Sequence, residues 1–365
     1  MTDPVFPHSL DSIFAASSVG SLDRALANNI YGLNNTRLPG FSASNRDNQG
    51  FIFMTRPQLN LQKMNIRNTR ELYPLLNEDN ASLAKAIRMI LDPRIGAGYT
   101  IHRSGKAYTV PPDKCSLVDN EQAFIPFITN NTMSSSGWPD MRLNTSSSDP
   151  GLHKQVTVLP DGVVRNYTEY DISLNVENTR GDPVTLMTYV WLHYMAAVKE
   201  GRLHPYFDYL VNNRRDFDTR VYRVILDQNQ ESVTKIMASI AGFPVNCSLG
   251  MFGDFNRNTP FSEQTKEISL NIKCTGFVGI DPLLIQHFNH TVEAFCVGMN
   301  DTNRGSNMVL LTKREYPIFR HRCYPRIDPG NMEFQWWTRK EVYEQGESNL
   351  PLTRDWIPPS NRNTN

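Results

Sequence analysis

Glu169-Tyr170-Asp171-Ile172-Ser173-Leu174-Asn175-Val176, then Gly181-Asp182-Pro183, then VTLMTYVWLHYMAAV over 184–198, is the stretch whose reading decides the fold. From Tyr170 to Val176 the residues alternate. Ile172, Leu174 and Val176 share one face, and Asp171, Ser173 and Asn175 share the other. That is the pattern of a half-buried strand. Asp182 suits an N-cap and Pro183 suits the first helical position, where a missing N–H costs nothing. The spacing predicts a helix to Glu200, with Gly201 at C′. Its apolar residues, among them Met187, Tyr189, Trp191, Tyr194 and Val198, cover almost the whole circumference. Such a helix is buried on both sides. One side faces its own sheet, and the other needs a second layer or another subunit.

Outward from there the same alternation recurs. Val221, Arg223 and Ile225 alternate with Tyr222, Val224 and Leu226 within 219–227. Thr234, Ile236, Ala238 and Ile240 mark a strand over 232–240 that ends at Gly242-Phe243-Pro244. Ile268, Leu270, Ile272 and Cys274 alternate with Ser269, Asn271 and Lys273 over 266–274. Asp281-Pro282 then opens a second helix, LLIQHFNHTVEAF. The order strand, helix, three strands, helix predicts an α+β fold, mostly β, with an antiparallel sheet and segregated helices. Four regions follow: an N-terminal arm with a short helix over 1–100, a loop-rich insertion over 101–165, a core over 166–300 and a C-terminal docking arm over 301–365. The arm over 1–100 carries turn clusters, one short strand at Phe51–Thr55 and a helix from Asn80 to Ile90. Aromatics among prolines and charges in the last region, Trp336-Trp337 and Trp356-Ile357-Pro358-Pro359, read as anchors for an extended segment.

Composition narrows the function. The 365 residues hold 37 Lys+Arg and 37 Asp+Glu, so no global charge draws the chain to nucleic acid or an anionic membrane. The 34 asparagines favour turns and loops. The longest apolar run, 184–198, is shorter than the ~18–20 residues of a bilayer span. The opening residues lack a basic, then apolar, leader. The expectation is a chain made in a cytosol with no stable membrane binding. Five cysteines at long spacings, with no CxxC, form neither a disulfide framework nor a zinc site, and Cys274 and Cys296 read as buried thiols.

Catalytic constellations are sparse. GxGxxG after a strand, Walker A, HExxH and GxSxG are all missing. His287 and His290 could share a helix face, but no third ligand is local. Asp208, Asp216 and Asp218 near Arg214, Arg215 and Arg220 could do acid–base work or form a solvated or intersubunit ion-pair patch. His193 reads as a hydrogen-bonded core histidine. Trp336-Trp337 beside Arg339-Lys340 could stack a single-stranded nucleic acid or anchor the C-terminal segment. The reading is no enzyme, no cofactor and no metal.

One succession is specific: strand, apolar helix with Tyr189, Trp191 and Tyr194, then two strands running from Val233-Thr234-Lys235-Ile236 to Gly242 and Pro244, then a final alternating strand. It resembles the tail-tube fold of contractile phage tails. Gly50-Phe51-Ile52-Phe53-Met54-Thr55-Arg56-Pro57, Ser136-Gly137-Trp138-Pro139-Asp140, Arg220-Val221-Tyr222-Arg223-Val224-Ile225-Leu226-Asp227 and Tyr324-Pro325-Arg326-Ile327 resemble stretches of large tailed-phage virion proteins. The resemblance implies a β-barrel-forming core in a hexameric ring around the DNA channel. Glu169, Asp171, Ser173 and Asn175 would face the channel, and Trp138, Trp191, Arg214, Arg215, Trp336 and Trp337 would meet neighbouring subunits. The extra length fits the baseplate end of the tube. Partners would be the chain itself and adjacent tube, sheath or baseplate proteins, with DNA only in transit and the virion tail as location. Other readings are a neck, wedge or capsid-associated virion part, an enzyme, or a nucleic-acid-binding module.

Overall fold

The computed structural model describes residues 47–349 except 104–105, 142, 162–167, 280, 282, 314, 316–318 and 320–321. The turn clusters of 1–46 and the Trp356 segment lie outside the described residues. The main elements are, in chain order, β1 (Asn48–Met54), α1 (Leu83–Leu91), α2 (Pro126–Asn131), β2 (Thr132–Ser136), β3 (Thr145–Ser147), β4 (Val158–Pro160), β5 (Glu169–Glu177), α3 (Pro183–Lys199), α4 (Phe207–Val211), β6 (Val221–Leu226), β7 (Val233–Pro244), β8 (Glu267–Gly279), α5 (Leu283–Phe295), β9 (Met308–Leu310), β10 (Cys323–Ile327) and β11 (Phe334–Arg339).

A six-stranded sheet runs β1-β6-β7-β8-β5-β2, and every pairing in it is antiparallel. In β5, Ile172, Leu174 and Val176 are fully buried, as the alternation predicts. They join Ile268, Leu270, Ile272 and Cys274 of β8 under Val184, Met187, Val190, Trp191 and Tyr194 of α3. Each such buried aliphatic side chain contributes roughly 1.5–3 kcal/mol. Helix α3 starts at Pro183, but Asp182 does not cap it. Asp182 sits in the left-handed region (φ 50°), and its carboxylate accepts from Asn178 Nδ2 at 2.6 Å. Gly201 ends the helix at φ +74°. Its N–H reaches Val198 O at 3.1 Å while that of Arg202 reaches Ala197 O at 2.9 Å, the bond pair that closes a helix through a left-handed residue.

The second layer over α3 comes from the chain itself. Leu59, Leu61, Ile66, Leu72, Ile87, Leu91 and Ile95 share one cluster with Trp191 and Tyr194. Trp191 is 0% exposed in a single chain, so it sits in the interior and not at a subunit surface. Residues 48–97 are therefore core and not an arm, with β1 an edge strand of the main sheet. Helix α1 begins at Leu83 after an extended Ser82, later than Asn80.

Alternate residues of β1 and β6 feed two cores. Ile52, Met54 and Val221 join the α3 core, whereas Phe53, Tyr222 and Val224 join a second one around Phe124, Phe288, Tyr324, Ile327 and Phe334. That second core is covered by α5 and by a small sheet of order β9-β11-β10. Strands β9, β10 and β11 thus complete their own chain's core instead of forming a docking arm. Phe334 stacks on Phe51 at 5.2 Å, and Trp336 meets Phe51 edge-on at 5.5 Å. Strands β7 and β8 are longer than the alternation suggested. Gly242-Phe243-Pro244 lies within β7, and β8 continues past Cys274 through Gly276 at φ +71°. A Cβ on Gly276 would lie 2.6 Å from Ile240 Cδ1.

Arg56, 4% exposed, binds the parts together. Its guanidinium donates to Met89 O (2.6 Å), Ile90 O (2.9 Å), Asn120 O (2.9 Å) and Gln122 O (2.8 Å), and lies 5.6 Å from the Phe295 ring. Burial lowers its pKa to about 10. Replacing Arg56 by Met would leave these acceptors dry, at about 1–3 kcal/mol for each group left unsatisfied. Arg56→Met is therefore expected to lose at least about 3 kcal/mol in urea unfolding, and Arg56→Lys to recover only part of it, because an ammonium offers three donors from a single point.

Candidate functional site

The outer face of β5 and β8 carries the residues the sequence assigned to a channel. Register pairs Glu169 with Thr275, Asp171 with Lys273, Ser173 with Asn271 and Asn175 with Ser269. On the other side of β5, Ser134 and Ser136 of β2 pair with Asn175 and Ser173. All these side chains leave the face that α3 does not cover, because strand side chains alternate. Most are short and neutral. Asn175 Nδ2 donates to Ser134 Oγ at 3.1 Å. The cation Lys273 lies 3.3 Å from Asp171 and 3.8 Å from Glu169. Its side chain is 34% exposed against 61% and 77% for the two carboxylates, so the negative groups stand outermost.

The sheet curls until its two edge strands face each other. Gln49, Phe51 and Ile52 of β1 and Thr132–Ser135 of β2 line one cleft of about 540 Å³ with Trp138 and Arg223. Helix α2 bridges the edges at the other end, where Ile125 N–H bonds Met54 O at 2.8 Å. Among the described residues the sheet does not close into a barrel within one chain. Both edge strands escaped the sequence reading as members of this sheet, although the apolar run Phe51–Met54 was a signal for β1.

The other expected site residues scatter. Trp138 is half-buried and meets Phe277 edge-on at 6.1 Å. Trp336 and Trp337 pack against the second core, and Arg304 stacks on Trp337 at 5.2 Å. Arg214 is exposed, and Arg215 pairs with Asp218 at 2.9 Å. His193 is a half-exposed ring 4.2 Å from Tyr189 and not a core histidine. His290 lies 3.2 Å from Glu293. Cys274 and Cys296 are buried, and burial pushes both thiols up to about 12.

The acidic trio does not converge on a reaction site. Asp208 binds Arg94 through both oxygens at 2.9 and 2.7 Å, which lowers its pKa. Asp216 is buried and accepts from the Tyr194 hydroxyl, and burial raises its pKa. The carboxylate the sequence reading missed is Asp92, 0% exposed, which accepts from Tyr206 (2.8 Å) and Leu61 N–H (2.8 Å). Burial raises it to about 7. These are structural fastenings between 56–97, α3 and the loop around α4.

Fold and site together give two packed cores and one bare polar sheet face. The chain belongs to the family described as "Putative phage tail tube protein", whose model matches residues 8–353. It is a structural part of the virion tail and not an enzyme. No curated protein matches the sequence. Among solved structures, the tube-terminating cap of the anti-feeding prophage aligns at 13% identity and TM-score 0.26, over 43% of this chain and 81% of that one. The sheath/tube terminator of the extracellular contractile injection system PVC, in its extended state, aligns at 12% and 0.23, over 43% and 86%. At these scores the likeness is partial and carries no argument.

Two outcomes check the site. Ser173→Asp leaves urea stability within about 0.5 kcal/mol, whereas Leu174→Asp, one residue along, unfolds the chain or costs more than about 4 kcal/mol. For Asp92, the folded state binds the proton more tightly than the unfolded state. Its contribution is full below about pH 4, falls as pH rises and is gone above about pH 7. Asp92→Asn should therefore gain on the wild type, by roughly a few kcal/mol at most, between about pH 4 and 7 in melts at constant ionic strength.

Proposed function

We propose that the chain forms a sixfold ring of a contractile-type tail tube, at the baseplate end where the tube begins, with the β5–β8 polar face toward the DNA channel. The observation that carries this reading is the two-sidedness of one sheet. One face is sealed under α3, while the other is uncovered, short-chained and mostly neutral, with its lysine flanked by carboxylates. A conduit needs such a lining, because each free Lys or Arg on a phosphate adds salt-dependent affinity. The curled sheet with two open edges supports closure of a continuous barrel only when several copies join. Partners on this reading are further copies and the adjoining tube, sheath and baseplate proteins, with DNA as cargo.

The test has two parts. Negative-stain images of the purified chain should show sixfold rings or short tubes, and a compact monomer at every concentration would sink the ring. Asp171→Lys/Ser173→Lys/Asn175→Lys should assemble like the wild type, yet slow DNA ejection from particles that carry it, with slowing relieved by salt. Unchanged ejection from such particles would remove these residues from the channel wall.

A further inference from the structure

Val221, Arg223 and Ile225 of β6 share one face, because strand side chains alternate. Val221 joins the α3 core, whereas Arg223 and Ile225 floor the cleft between the two sheet edges. Met237 of β7, opposite Arg223, completes the floor, and Ile52, Met133 and Trp138 supply apolar walls. The floor holds one charge. Arg223 is half-buried. Its guanidinium donates to Gln49 Oε1 and reaches Phe51 O and Val224 O at 3.4 Å. Among the described residues no carboxylate pairs with it, and none lines the cleft. Burial lowers its pKa, with no acid nearby to raise it. A cation drawn partly out of water among apolar side chains is costly until a counter-charge reaches it.

The chain enters the described structure beside this floor. Asp47 lies 2.6 Å from Lys235 of β7, whose backbone pairs with Ile225. Strand β6 stands between β1 and β7, so Asp47 reaches inward over the cleft side of the sheet. The 46 residues ahead of it therefore depart from the cleft. Their charges are sorted. Residues 24–46 carry Arg24, Arg37 and Arg46 and no Asp or Glu, while residues 1–23 carry Asp3, Asp11 and Asp23 and no Lys or Arg. Asp23 is followed by Arg24, and Asp3 stands between Thr2 and Pro4. Asp11 alone has large apolar neighbours, Leu10 before it and Ile13-Phe14 after it. One acid framed by apolar side chains complements one guanidinium framed by Ile225, Met237 and Trp138. Residues 350–365 would instead bring two further cations, Arg354 and Arg362, with Asp355. Residues 12–46 are long enough to return Asp11 to the cleft. They also hold it there at an effective concentration of about millimolar, above what a second copy supplies in a micromolar solution.

We propose that residues 10–14 seat in the cleft of their own chain, with the Asp11 carboxylate on the Arg223 guanidinium and Leu10, Ile13 and Phe14 against the apolar walls. The contact lies on the α3 side of the sheet, leaves the β5–β8 polar face bare and does not depend on the ring. The full-length chain with a photoreactive benzophenone side chain at position 14 tests it. Cross-links should map to peptides holding Gln49–Ile52 or Thr132–Trp138. In an equal mixture of isotope-labelled and unlabelled chains, both ends of each cross-link should carry the same label. Asp11→Lys should lower the yield by about tenfold or more, as should Arg223→Glu, and the two together should restore it. Asp11→Lys alters no described residue, so its effect is read with the fold unchanged, and melting temperatures check the Arg223 variant. Cross-links outside the cleft, or a yield that Asp11→Lys does not move, would overturn the proposal. Mixed-label products at the cleft would overturn the own-chain seat and give the cleft to a second copy. A benzophenone at position 356 that labels the cleft would give it to the C-terminal residues and overturn the proposal equally.

Discussion

The guanidinium of Arg56 is the joint on which the two cores depend. It follows β1 directly and reaches, in a nearly dry site, the last carbonyls of α1 and the carbonyls of 120 and 122. The carbonyls at the end of a helix lack intrahelical partners and carry partial negative charge, so a buried cation there satisfies both needs. The same 119–122 segment is gripped from the other side. Arg339 lies 3.2 Å from Asp119 and 2.8 Å from Glu121, Tyr324 donates to Asp119 at 2.5 Å, and Gln122 Nε2 reaches Cys323 O at 2.6 Å. The layer over α3 and the C-terminal sheet are thus tied through one short strip of backbone. Burying the Arg56 guanidinium is tolerable because each of its nitrogens finds a carbonyl. The network orders the layers more than it adds net stability, since buried charge is costly to desolvate.

The two cores are shared unequally along the sheet. Strands β1 and β6 serve a core on each face, whereas β5 serves only the α3 core and β8 gives the second core no more than Val278 at its end. A sheet buried on both sides at one end and on one side at the other wraps around the helix it covers, and its free edges approach across the cleft beside Trp138.

Much of this was legible in the sequence where periodicity was local. The strict alternation of 170–176 and 268–274 gave strands, faces and buried residues directly, and Pro183 and Gly201 marked the helix ends. What failed depended on partners far along the chain. An all-round apolar helix says that two layers cover it, not whose they are; Leu59 to Ile95 supply the second, over a stretch dense in turn residues. Phe334, Trp336 and Trp337 looked like anchors because aromatics among charges carry no period, yet β9–β11 is a sheet pinned to Phe51 more than 280 residues earlier. Asp182 had cap chemistry, but its left-handed backbone turned the carboxylate toward Asn178. Asp92 gave no signal, since its burial is created by Tyr206 from a distant loop.

The polar face of β5 and β8 is the part that folding does not account for. Exposed ion pairs such as Lys273 with Asp171 contribute about 0–1 kcal/mol, and short hydroxyl and amide side chains on an open face contribute little more. A sheet stabilised on its buried side tolerates almost any polar residue on the other. Yet this face presents Ser134, Ser136, Ser173, Asn175, Ser269 and Asn271 together, all short, with one cation set back behind two carboxylates. Free cations, common on an ordinary protein surface, are scarce there. That restraint contributes little to stability, and on the proposed channel reading it suits a face past which a polyanion moves without meeting an unpaired positive charge.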